Sequence, residues 1–256
     1  MRAVHAGLVE GRIGDLRHIH ASGKGYYGGY GLLNIGTHSL NSMMKLTGHC
    51  RRVHATATTD GRKVTPEDVI PSPSGMGTIV GGSITAHLEY DSGVTATLMQ
   101  HRLPTVDVAG HTLDILGAEG RILFNSSRGA WLLPSAHYLP DGEHDRWRRL
   151  DPVMPDGFDA GGNAHMDDYW FVEEYVNALD KGRDHESSGA EATHIMEIMM
   201  GIFESAAYER LVELPQVQRD HPLLRWRREN GLGEPAPMPR SVPEWLEAED
   251  RRLGRS

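Results

Sequence analysis

From Ser83 to Leu103 the chain reads "SITAHLEYDSGVTATLMQHRL", with apolar and polar residues alternating on both sides of Asp91-Ser92-Gly93. A period of two puts successive side chains on opposite faces of a strand, and a glycine-containing break between two such runs marks a hairpin. The device recurs in "HTLDILGAEGRILF", where Gly117-Ala118-Glu119-Gly120 parts the arms. "RIGDLRHIHAS", Arg12–Ser22, predicts a strand with one wet face, anchored by Ile13, Leu16 and Ile19; Cys50–Thr58 and the late "LVELP" predict two more. The period changes over Gly36–Thr47, where Leu40, Met43, Met44 and Thr47 form one stripe of a helix. Asp167–Asp180 predicts a second helix with Phe171, Val172, Tyr175, Val176 and Leu179 on one face and Gly182 as its C-cap. Ser188-Gly189-Ala190-Glu191 reads as a capping box that opens a third, with Ile195, Ile198, Met199, Ile202 and Ala206 at core spacing. Hairpins followed by helices predict an α+β fold: a large, predominantly antiparallel β-sheet with helices packed on one face.

Two stretches lack a period. Asp60–Gly82 is rich in Pro, Ser and Gly and reads as a loop. "RDHPLLRWRRENGLGEPAPMPR" shows no helical stripe and reads as an arm over its own domain or a neighbouring subunit. The expected division is therefore a domain over residues 1–215 and a Pro/Arg-rich extension over 216–256.

Composition narrows the field. The 256 residues suffice for a sizeable core, and 39% hydrophobic with 24% charged residues is a globular balance. A net charge of −9 argues against a nucleic-acid partner. No apolar run reaches membrane-spanning length, and the first residues lack a signal peptide's apolar stretch, so the expectation is a cytoplasmic chain with no membrane partner. The single cysteine, Cys50, excludes an intrachain disulfide and a paired-cysteine zinc site. The 15 histidines are an excess that hints at metal or proton chemistry, although scattered surface histidines give the same count.

Gly23-Lys24-Gly25-Tyr26-Tyr27-Gly28 satisfies the G-x-G-x-x-G dinucleotide pattern. That pattern works only after a buried parallel strand and at the start of a helix, where free N–H groups meet pyrophosphate. Here the preceding strand carries Arg17, His18 and His20, and the expected helix starts several residues late, so we do not read a nucleotide loop. Asn34, His38, Asn41 and Lys45, at 0, +4, +7 and +11, form a polar stripe opposite Leu40 and Met43. A histidine in a helix's first turn is biased toward its neutral form and suits a general base; a solvated polar face fits the same spacing. His18 and His20 read as exposed sheet histidines, Asp167 and Asp168 beside His165 as N-capping, and Met199 and Met200 as core rather than metal or cofactor ligands. Asn125-Ser126-Ser127 is a glycosylation sequon without consequence in a cytoplasmic chain.

Five segments in order, "GLVEGRIGDLRHI", "GGYGLLNIGTHSLN", "GVTATL", "GAEGRILF" and "YVNALDKGRDHESSGAEATHIMEIMMGIFESA" with the later "LVELP", resemble the C-terminal domain of the glucose–fructose oxidoreductase/inositol dehydrogenase (Gfo/Idh/MocA) family, over roughly residues 6–215. The resemblance implies the sugar-binding half of an NAD- or NADP-dependent sugar or cyclitol oxidoreductase, whose open sheet face builds a homo-oligomer. In that family a Rossmann domain binds the cofactor and supplies the lysine of a Glu-Lys-Pro motif. This chain contains no such motif and opens where that domain is ending, so something on the order of 100–150 residues lies outside it. The implication is a half that binds no cofactor and is inactive alone.

Residue by residue, the resemblance places His38 on the catalytic histidine, with Asn34 and Asn41 where the family pattern has aspartates. The partner that steadies the histidine as a cation is then uncharged, or lies elsewhere. Lys24, Tyr26, Tyr27 and Tyr30, in the loop before the stripe, are implied as contacts to sugar hydroxyls, as are His101 and Arg102 at the end of the hairpin strand. Two rivals stand beside this reading: a carbohydrate-binding or assembly domain without activity, which the two asparagines favour, and a metal-dependent sugar lyase or isomerase drawing on the surplus histidines.

Overall fold

The computed structural model describes residues 1–73, 75–104, 110–137, 146–159, 161–162, 165–237, 244, 247–248 and 250–251. A first helix, α1 (Arg2–Val9), precedes β1 (Leu16–Ser22). Then α2 (Gly28–Gly31) runs through a π-helical turn (Leu32–Gly36) into α3 (Thr37–Thr47). The sheet continues with β2 (Cys50–Thr59), β3 (Arg62–Lys63), β6 (Ser83–Tyr90), β7 (Thr95–His101), β8 (Thr112–Gly117), β9 (Arg121–Asn125), β10 (Gly129–Leu133) and β11 (Arg148–Leu150). Short β4 (Ile70–Pro71) and β5 (Thr78–Ile79) pair with each other inside the stretch expected as a loop. Helices α4 (Met166–Asp180) and α5 (Gly189–Tyr208), strand β12 (Val212–Glu213) and helix α6 (Pro222–Glu229) complete the order.

Ten strands form one sheet in the order β11-β10-β9-β8-β1-β7-β6-β2-β12, with β3 on β2. Each pair is antiparallel except β1–β7, which is parallel and central. The α+β expectation holds: both hairpins form as read, and Gly93 takes the positive φ (82°) that its turn needs. One face carries Ile19, Ala21, Ile84, Leu88, Leu98, Leu113 and Ile115, all fully buried. Each isoleucine and leucine among them is worth about 1.5–3 kcal/mol of burial. Helix α5 lies over β2, where the Ala55 N–H donates to Ser205 Oγ at 2.8 Å. Ser188 caps α5 by accepting the Glu191 N–H at 3.3 Å; the Glu191 carboxylate turns to His49 instead of closing the expected box. The opposite face is polar and partly exposed: His18 and His20 on β1, Thr95 and Thr97 on β7, Thr85 and His87 on β6, His54 on β2. No helix among the described residues is long and apolar enough to cross a membrane.

Several expectations change. The first strand starts at Leu16, because the chain turns at Gly11 and Gly14, and Ile13 packs under the β8–β9 turn by accepting the Glu119 N–H. The tail carries α6 despite its lack of a stripe. Leu223 buries against α5, and Arg225 is buried because it meets Asp220 at 2.7 Å and Glu204 at 3.3 Å. Asp167 and Asp168 sit inside the first turn of α4, whose N-cap is His165. The apolar face of α4 is exposed: only Ala178 of that helix is buried.

The largest correction is the helix start. It begins at Gly28, eight residues before Gly36, where glycine's poor helix propensity reads as loop. The glycines permit contact with the sheet. A Cβ on Gly28 would stand 2.6 Å from the Gln100 carbonyl oxygen, and one on Gly29 2.6 Å from that of Val80. We therefore expect Gly28→Ala to destabilise the fold by about 1–3 kcal/mol, although alanine ordinarily favours helix. Gly189→Ala, at the open start of α5 with nothing within 4 Å, should stay within about 0.5 kcal/mol. Urea unfolding of the two variants checks both.

Candidate functional site

The first N–H groups of α2 meet no free space: Gly28 donates to the Gly82 carbonyl and Gly29 to that of Gly81, each at 2.9 Å. The Gly23–Gly28 motif therefore has a packing role. Gly23, with Gly31 and Gly36, faces the buried side chain of Gln100 on β7, while Gly28 faces its backbone carbonyl; a Cβ on Gly23 would fall 2.0 Å, and on Gly31 2.8 Å, from Gln100 Oε1. The N–H groups of Gly28 and Gly29 are thus not free to meet a pyrophosphate.

Above this floor the π turn re-aims the helix. An extra residue in a turn shifts the side chains that follow, and such turns concentrate at functional sites. Asn34 lies within it; its Nδ2 donates to Tyr30 Oη at 3.0 Å, and its carbonyl accepts Thr37 Oγ1 at 2.7 Å. Tyr30 is buried and meets Tyr26 edge-to-face at 5.9 Å. His38, one turn on, is exposed, and among the described residues its side chain makes no hydrogen bond. Its ring lies nearly parallel (15°) to that of His111, with centroids 6.0 Å apart.

His111 was not picked out by the sequence, and it is the most constrained group of the site. It stands just before β8, after Gly110, whose φ of 122° and close approach to Ser126 Oγ (1.9 Å from an added Cβ) exclude any side chain. The His111 N–H donates to Ser126 Oγ at 3.2 Å, its carbonyl accepts the Ser126 N–H at 3.1 Å, and its ring meets Phe124 edge-on. The imidazole is 9% exposed, and its buried Nε2 has no partner among the described residues. Burial, with positive charge from His38, Lys24 and the Met1 amine, pushes its pKa down to about 4. It is neutral at physiological pH. The signal available in sequence was a glycine–histidine step opening a strand; only the β8–β1–β7 order brings it to His38.

Lys24, half-buried in the loop ahead of α2, acts electrostatically on His111 and makes no ion pair among the described residues. Asn41, a turn below His38, is partly exposed with no side-chain hydrogen bond among those residues. Lys45 is drawn away from the stripe: its Nζ donates to the Glu186 carbonyl and lies 4.0 Å from the Glu191 carboxylate. His101 is on the other side of the sheet. It follows Gln100 by one residue, so it points to the open face, where it bonds Thr85 Oγ1 at 2.7 Å. The Arg102 N–H donates to the Gly82 carbonyl at 3.0 Å, at the edge of the α2 contact. The structure thus links Tyr26, Tyr30 and Asn34, sets His38 against His111 with Lys24 acting on the latter, shows no side-chain hydrogen bond for Asn41 among the described residues, and places His101 on the opposite face of the sheet. On the open face, His18 bonds Thr95 and Thr97. Among the described residues no three His, Cys, Asp or Glu side chains converge as a metal site.

Residues 1–123 match the family model of the GFO/IDH/MocA C-terminal domain. No curated protein matches the chain. Among solved structures, a levoglucosan dehydrogenase in complex with NADH and L-sorbose is similar, with 20% identity and a TM-score of 0.57 over 82% of this chain. An NAD binding oxidoreductase from Klebsiella pneumoniae gives 18%, 0.59 and 84%. An oxidoreductase domain protein from Kribbella flavida gives 19%, 0.60 and 84%. At these identities the likeness shows the fold. The chain spans 62%, 62% and 63% of those three chains.

The depressed pKa of His111 has a sign that can be checked. The unfolded chain takes up a proton near pH 6.5, the folded one only near 4. Stability from the neutral ring is therefore whole above about 6.5 and is lost as pH falls toward 4. Burial shifts His18, His101 and His221 the same way. His111→Gln should accordingly flatten, without abolishing, the fall of Tm between pH 6.5 and 4, as read by calorimetry across that range.

Proposed function

We propose that this chain, whose residues 1–123 match the family model of the GFO/IDH/MocA C-terminal domain, is the substrate-binding half of an NAD(P)-dependent sugar or cyclitol oxidoreductase, inactive until a cofactor-binding part is supplied. The observation that carries the reading is His38 at the re-aimed start of α3, with an exposed imidazole beside the orphan nitrogen of His111. A neutral imidazole within reach of a secondary hydroxyl can take its proton. Asn34, anchored on Tyr30, and Lys24 would position the sugar around it.

At the G-x-G-x-x-G helix start the N–H groups of Gly28 and Gly29 are spent on the carbonyls of Gly82 and Gly81, which speaks against a dinucleotide at that loop. In this reading the cofactor, whose nicotinamide accepts the hydride, belongs to another part of the enzyme, and this chain supplies the proton side of the reaction. Two further observations support a half. The chain spans 62% of the levoglucosan dehydrogenase it resembles. Helix α4 also leaves Phe171 56%, Val172 58%, Tyr175 51% and Leu179 64% exposed, an apolar face of the kind that a second domain covers. The polar sheet face remains, in this reading, the surface on which copies of the chain assemble.

Titrating NADH and NADPH into the purified chain, followed by nicotinamide fluorescence, should give no saturable binding; saturation in the micromolar range would overturn the half-enzyme reading. With the cofactor part supplied, His38→Ala should lower kcat by about 10²–10⁴-fold. Unchanged turnover in that variant would remove His38 as the base and favour the rival reading, a binding domain without activity.

A further inference from the structure

We infer that the site around His38 takes an anionic polyol, a sugar that bears a carboxylate, in preference to a neutral sugar. The inference rests on reading this site as a sugar pocket and adds the charge of its ligand.

Charge is the first argument. Lys24 is half-buried and has neither an ion pair nor a side-chain hydrogen bond among the described residues. Elsewhere in the domain partly buried cations have carboxylates: Arg52 meets Glu89, Arg121 meets Asp114, and Arg225 meets Asp220 and Glu204. An ammonium drawn partly out of water without a counter-ion is disfavoured, and a carboxylate arriving with a ligand would relieve it. The second argument is what surrounds it. At the two positions where the family pattern has aspartates this chain has Asn34 and Asn41, and the Asn34 amide is turned to Tyr30. The charged groups acting on His111 are His38, Lys24 and the Met1 amine, with no carboxylate among them. An anion entering this site is attracted by Lys24 and meets none of the repulsion that aspartates would provide.

The third argument is the orphan nitrogen. His111 is nine-tenths buried and fixed through its backbone to Ser126, yet its Nε2 has no partner among the described residues. A buried ring nitrogen left without a hydrogen bond marks a place where a ligand's polar group completes the site. A hydroxyl, which both donates and accepts, suits a neutral imidazole in either tautomer. Hydroxyls at His111 and His38 with a carboxylate at Lys24 describe a sugar acid.

The test uses matched probes that differ only in charge: D-glucuronate against D-glucuronamide, and D-galacturonate against D-galacturonamide, each titrated into the purified chain by calorimetry. At least one acid should bind ten-fold or more tightly than its amide, with the preference shrinking in 0.5 M salt and vanishing in Lys24→Gln, whose fold is checked by circular dichroism. Acid and amide binding equally would overturn the inference and leave the sugar pocket intact. A preference that survives unchanged in Lys24→Gln would also overturn it. No binding of any of the four would overturn the sugar-pocket reading together with it.

Discussion

The site depends on how closely one helix approaches one pair of strands. Gly28 and Gly29 bring the backbone of α2 against β6 and β7, where their N–H groups bond the carbonyls of Gly82 and Gly81. Gly31 and Gly36 then pass over the buried amide of Gln100. A side chain at Gly28 would push the helix off the sheet and carry His38 with it. Four glycines that each cost the helix conformational entropy are therefore offset by a single tight packing contact. The same contact takes up the Gly28 and Gly29 N–H groups that a dinucleotide-like sequence pattern would otherwise offer to an anion.

What was legible in the sequence was whatever is local. Both hairpins around Gly93 and Gly117–Gly120, the α5 core stripe and its Ser188 cap follow from period and turn chemistry, and the structure has them. The start of α2 was illegible because its reason, the Gln100 and Gly82 carbonyls, lies some fifty to seventy residues away in the chain. Helix α6 was illegible for another reason. Its buried face contains Arg225, which counts as polar in any periodicity; the carboxylates of Glu204 and Asp220 make its burial tolerable. The amphipathic pattern of α4 was legible, yet its apolar face is exposed, since a pattern states what a helix would bury and not whether a partner is present.

The candidate site divides in the same way. His38 and Asn34 were found from helical spacing and family resemblance, although the π turn changes the geometry that the spacing assumed. His111 needed topology. It reaches His38 because β8 pairs with β1 in the centre of the sheet, and β1 leads directly into the glycine loop. His101, adjacent in sequence to the buried Gln100, is excluded from the site by strand alternation alone.

Replacing carboxylates by a second imidazole changes the task of the first. An aspartate beside a catalytic histidine stabilises the imidazolium formed when it takes a proton. His111 does the reverse: a neutral, buried ring offers no compensating charge, and Lys24 nearby opposes a second cation. His38 must then find its stabilisation in solvent, to which it is exposed, or in a group that the ligand brings. A ligand carboxylate over Lys24 would neutralise the charge opposing protonation, so that binding and proton abstraction would be coupled through one electrostatic interaction. With no carboxylate among the charged groups that act on His111, a ligand's own charge would take over part of the stabilisation that an aspartate beside the histidine would give.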